Sequence, residues 1–64
     1  MVRSWLVAIR KAAGLSQLQV SDAVGIAQSS YNGIETGKRN PRVGTAKRIA
    51  AVLGFDWQRF YDAA

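Results

Sequence analysis

The sequence predicts an all-α fold, a compact five-helix domain, on three observations. Apolar residues recur at spacings of three and four along each long segment, and no segment alternates apolar with polar as a strand would. Glycines at 14, 25, 37 and 54 stand just past those segments, where helices stop. The chain has no repeat and no low-complexity linker, and its 64 residues suffice for one domain only. With no Cys and no His, neither disulfides nor zinc can staple so short a fold, so its stability rests on packing.

The first helix is expected over about residues 3–13. Trp5, Leu6, Ile9 and Ala13 line one stripe, Arg10 and Lys11 suit the negative end of the helix dipole, and Gly14 follows as the stop. Ser16 is a good N-cap for a second helix over 17–24, with Val20, Ala23 and Val24 facing inward. Only Gly25-Ile26-Ala27 separates it from a third helix over 28–36, whose inward pair is Tyr31 and Ile34. Gly37 ends that helix, and Pro41 forbids helix for the residue before it, so Lys38-Arg39-Asn40-Pro41-Arg42 reads as a basic loop. Val43, Ala46, Ile49, Ala50 and Leu53 form the apolar stripe of a fourth helix over 43–53. Asp56 caps a fifth, over 56–62, carrying Trp57, Phe60 and Tyr61.

Nine Lys and Arg against four Asp and Glu give a net charge of +5, which points to an anionic partner. Lys38, Arg39, Arg42, Lys47 and Arg48 fall within eleven residues that hold no acid, a patch rather than a scatter. The apolar runs are far too short for a membrane span, and the first hydrophobic stretch is too soon charged again for a secretory signal. A reducing cytoplasm is the expected compartment.

Catalysis is not expected. Asp22, Glu35, Asp56 and Asp62 are spread over different segments, so no two are placed by local spacing as an acid and base pair. No His is present to activate a Ser or Thr, and neither a nucleophile elbow nor a glycine-rich phosphate loop occurs. No metal or cofactor is expected either. DNA reading fits better on geometric grounds. A helix about 10 to 12 Å across enters the major groove, and a preceding helix set crosswise fixes its angle. Such a helix needs polar side chains on its outer face near its N-terminus, which Gln28, Ser29 and Asn32 supply.

Gly14-Leu15-Ser16-Gln17, Val20, Val24-Gly25-Ile26, Gln28-Ser29, Ile34 through Pro41, Ile49-Ala50 and Leu53-Gly54 together resemble the phage-repressor helix-turn-helix family, the Cro-like and lambda-repressor-like group also called XRE-type. The resemblance covers about residues 3 to 60. It implies a five-helix DNA-binding domain of a transcriptional regulator, most simply a repressor, often acting as a dimer on paired half-sites of an operator. Carried over by position, it implies that Gln17 contacts a phosphate and braces the first reading residue, and that Gln28 reads bases, with Ser29 and Asn32 on the same arc. It assigns Lys38, Arg39, Asn40 and Arg42 to the sugar-phosphate backbone, Arg42 also to the minor groove, and the start of the fourth helix at Val43 to a further phosphate. Arg10 and Glu35 are similar to a pair joining the first and third helices. The chain is expected to carry no separate oligomerisation domain, so a homodimer would form through the domain itself, with Trp57, Phe60 and Tyr61 as the candidate contact.

Some positions depart from the family pattern. Ala27 stands where Ser or Thr usually caps the third helix, so that cap is missing unless Ser29 or Ser30 shifts the start. Gly33 replaces a residue that is often polar or basic, which shortens the reading surface unless the glycine admits a close approach. Leu18 is apolar where charge is usual, and Tyr31 takes an aliphatic core position, with a phosphate as one candidate partner for its hydroxyl. Two other readings stand beside the regulator: a protein-interaction module on the same fold, such as a DNA-binding antitoxin or an adaptor, and a non-specific basic DNA binder.

Overall fold

A computed structural model describes residues 2–62 of the chain. Among the described residues four α-helices are found, α1 Ser4–Ala12, α2 Gln17–Val24, α3 Gln28–Thr36 and α4 Val43–Leu53, followed by a 3-10 turn at Trp57–Phe60. The expected fifth α-helix over 56–62 is thus a 3-10 turn. Asp56 accepts a hydrogen bond from the backbone N–H of Gln58 only two residues on, and Tyr61 closes on the Gln58 carbonyl at 2.9 Å. That i-to-i+3 closure makes the tighter helix, which rarely runs beyond four residues.

The helix ends follow from local chemistry. Ser16 accepts from the Gln19 N–H at 3.1 Å while the Gln19 side chain accepts from the Ser16 N–H at 2.9 Å, a reciprocal capping box opening α2. Gly25 closes α2 at φ +84°, a left-handed conformation costly for any residue with a Cβ, and the turn to α3 follows at once. α3 begins at Gln28 with Ala27 as N-cap and no side-chain bond, so neither Ser29 nor Ser30 shifts its start. Residues 3 and 13 flank α1 rather than belong to it.

Leu6, Val20, Val24, Tyr31, Ile34, Ala46, Ile49, Leu53 and Phe60 form one core to which every element contributes. Three residues read as inward are exposed. Ala13 lies past the end of α1, Ser21 rather than Ala23 completes the inner stripe of α2, and Val43 in the first turn of α4 is 49% exposed. The Ser21 hydroxyl, though buried, donates back to the Leu18 carbonyl at 2.9 Å, so its polarity is satisfied within its own helix. At the far end Trp5 meets Phe55 and Phe60 edge-on, with centroids 5.3 Å away in both pairs, joining α1 to the 3-10 turn. Such pairs contribute about 0.5 to 1.5 kcal/mol each beyond simple burial. Among the described residues no helix is long and apolar enough to cross a membrane.

Candidate nucleic-acid interface

α3 divides cleanly into two faces. Tyr31, Ile34 and Glu35 are buried, whereas Gln28, Ser29 and Asn32 are exposed, as the 3.6-residue period requires of an outer arc opposite an inner one. Glu35 is the only acid on this helix, and it is turned inward, 2% exposed. Arg10 of α1 grips it bidentately, Nε to Oε2 at 2.6 Å and Nη2 to Oε1 at 3.2 Å, and donates its remaining arm to the Leu15 carbonyl at 2.9 Å. The expected Arg10–Glu35 pair is therefore present in the geometry. The Arg10 guanidinium is thus anchored to the connection between α1 and α2 as well as to α3.

Burial alone would raise the Glu35 carboxyl, but hydrogen bonds from Arg10 and Gln17 and the Arg10 charge outweigh it and hold its pKa below the ordinary carboxylate value. The bond to Glu35 in turn raises Arg10 against the opposing effect of burial. Tyr31 stands beside this pair with its hydroxyl buried and without a hydrogen-bond partner among the described residues. Burial first, and then the neighbouring carboxylate, push its pKa well above the ordinary phenol value. The hydroxyl is closed off from solvent, so the phosphate contact considered for it is excluded.

Gln17, at the start of α2, links the inner and outer faces of α3. Its amide nitrogen donates to Glu35 Oε1 at 3.0 Å and to Asn32 Oδ1 at 3.1 Å. It thus braces Asn32 rather than Gln28. With Oδ1 engaged by Gln17, the exposed Asn32 keeps its amide N–H₂ as a donor, while Gln28 and Ser29 stand exposed in the first turn. Ser29, inside that turn, does not cap the helix.

The basic loop is held from both ends of the chain. Arg3 donates from Nη1 to the carbonyls of Ile34 at 2.6 Å and Arg39 at 3.0 Å, and from Nη2 to Asn40 Oδ1 at 2.6 Å. The Tyr61 hydroxyl donates to the Pro41 carbonyl at 2.6 Å. Lys38, Arg39 and Arg42 remain exposed along this loop, and Arg42 forms the N-cap of α4 without a side-chain bond, next to Val43. A hollow of about 220 Å³ opens between α3 and the loop, bordered by Ser30, Arg39, Arg42 and Thr45.

The five-residue basic patch of the sequence divides in space. Arg48 donates to the Val24 carbonyl at 3.3 Å, closing the end of α2, and the Lys47 ammonium lies 5.1 Å above the Trp57 ring. Phe60 is buried in the core, so it is withdrawn as a dimer contact; Trp57 is half-buried and Tyr61 exposed. Sequence reading missed Arg3, whose acceptors lie 31 to 37 positions away. Only its basic character at the mouth of α1 was visible, and that fits a solvated charge equally well.

A family profile for helix-turn-helix domains matches residues 6–60. The chain belongs to the helix-turn-helix family. Within this XRE-type helix-turn-helix chain the capping box, the turn at Gly25 and the polar arc of α3 occupy the matched segment, as does the loop after it. A relative, the uncharacterized HTH-type transcriptional regulator YqaF of Bacillus subtilis (strain 168), is 40% identical over 62 residues, 97% of this chain and 82% of that protein.

Proposed function

We propose that this helix-turn-helix chain is a sequence-specific regulator of transcription that binds double-stranded DNA, most simply a repressor occupying its operator. The observation that carries the reading is the outer arc of α3. Gln28, Ser29 and Asn32 present hydrogen-bonding groups there, the one acid of the helix is withdrawn and neutralised, and Lys38, Arg39 and Arg42 follow at its end. Gln28 is suited to adenine, whose N6 and N7 match an amide's acceptor and donor, a pairing worth about 1 to 3 kcal/mol of discrimination. Lys38 and Arg42, with Asn40 and the Val43 end of α4 beside them, meet phosphates, and Arg42 is the candidate for a narrow minor groove, whereas Gln17, whose two amide N–H groups are taken by Glu35 and Asn32, braces the reading helix instead. On an operator two copies would pair with their α3 helices about 34 Å apart, using the surface around Trp57 and Tyr61.

The test is anisotropy titration against random duplexes at low and moderate salt, with sequencing of the bound fraction. Enrichment of a motif that Gln28→Ala loses, with affinity falling steeply as salt rises, is the expected result. Salt-sensitive binding without enrichment would make the protein a non-specific binder. No binding at low salt would overturn the reading in favour of a protein partner.

A further inference from the structure

We propose that Gly33 is a positioning residue: it leaves a notch on α3 in which Arg39 lies, so that Arg39 supplies the DNA-facing side chain that position 33 lacks. The inference rests on the DNA-binding reading and adds a specificity-determining residue to it. Glycine weakens a helix interior relative to alanine, so its presence in the middle of α3 calls for a packing reason. The reason is the loop. A Cβ built on Gly33 would lie 3.0 Å from Arg39 Cδ, 3.1 Å from Cγ and 3.5 Å from Nε. Three successive atoms of the arginine thus run along the bare backbone of α3, and a Cβ at 33 would require the Cγ and Cδ of that stem to give by a few tenths of an ångström.

The arginine is fixed at its root as well. Its N–H donates to the Gly33 carbonyl at 3.0 Å, and its carbonyl accepts from Arg3 at 3.0 Å. Residue 33 is one turn beyond Ser29 and adjacent to Asn32, on the flank of the polar arc. With Nε 3.5 Å from that Cβ position, the notch holds the arginine stem on the flank of that arc. Among the described residues the one ion pair is Arg10–Glu35, so no carboxylate holds Arg39 there; the notch does. A guanidinium so placed has the fork geometry that pairs with O6 and N7 of guanine.

The experiment compares the full chain, Gly33→Ala, Arg39→Ala and the double variant on the duplex recovered by selection, and on that duplex with each base pair replaced in turn. Arg39→Ala should bind about tenfold more weakly and lose a preference for guanine at one position of the half-site. Gly33→Ala removes no side chain, yet should lose a comparable factor and the same preference, with an unchanged or raised thermal midpoint. Added to Arg39→Ala, it should change nothing further. Parental affinity and preference in Gly33→Ala, losses that multiply in the double variant, or a uniform weakening over all sequences in Arg39→Ala would each overturn the notch while leaving the regulator reading intact. A parent chain that binds no duplex at low salt would overturn both.

Discussion

The Glu35 carboxylate collects donors from two helices at once, Arg10 of α1 and Gln17 of α2, and through Gln17 it reaches Asn32 on the outer face. A buried charge thereby sets the orientation of an exposed reader. Removing one partner of a buried pair costs about 3 to 5 kcal/mol, and Arg10, which keeps some access to water and a bond to Leu15, brings the expectation for Glu35→Gln down to about 2 to 3 kcal/mol. In a domain this small that lowers the thermal midpoint by about 10 °C or more, and an unchanged midpoint would sink the assignment. The pH dependence has a definite sign. Because the folded pKa of Glu35 is depressed, its contribution is fully present above the unfolded value of about 4.3 and is lost as pH falls through the folded value. Unfolding midpoints measured from pH 6 downward should fall on acidification, and Glu35→Gln should flatten that slope.

Among the elements, α1, α3 and α4 all open without a side-chain cap, and in α3 the missing cap falls on the helix proposed to read DNA. α2 opens on a complete capping box, whereas Ala27 offers α3 no side-chain acceptor, although its extended backbone at φ −66° and ψ 146° is that of an N-cap. Ala27→Ser should therefore stabilise the domain by about 0.5 to 2 kcal/mol without moving the helix, seen as a higher unfolding midpoint with an unchanged α3 start in amide shifts. A lower midpoint would mean that the first turn is held by other means. This same locality explains how much of the fold was legible. Caps and glycine stops act within a few residues, so the bounds of α2, α3 and α4 could be read from Ser16, Gly25, Gly37, Pro41 and Gly54. The last element could not, because Asp56 caps an α-helix and a 3-10 turn by the same kind of bond. Ala23 and Ser21 were exchanged for a related reason: which small residue of α2 faces inward depends on the helices packed against it.

At the scale of the molecule, the outer arc of α3 and the cations of the loop were legible as residue types, but what aims them was not. Arg3 bonds Ile34, Arg39 and Asn40, Tyr61 bonds Pro41, and Arg39 packs on Gly33, all contacts set by tertiary folding rather than by spacing. Arg3→Ala should cost about 1 to 2 kcal/mol, since each freed carbonyl near the surface regains water and the net value of a charged hydrogen bond is reduced accordingly. Hydrogen exchange supplies the sharper reading. The Arg39 amide, bonded to Gly33 within this clamp, should exchange faster in Arg3→Ala, and an unchanged rate would show that the loop holds its shape unaided.

The loop that follows α3 is thus shaped by a residue in front of α1 and another behind the 3-10 turn. Residues 28–42 are in consequence not a portable cassette. Grafted onto another scaffold they would bring their letters but leave behind the two contacts that give those letters a geometry. A swap of specificity between relatives would need to carry Arg3 and Tyr61 along with the segment that touches the ligand.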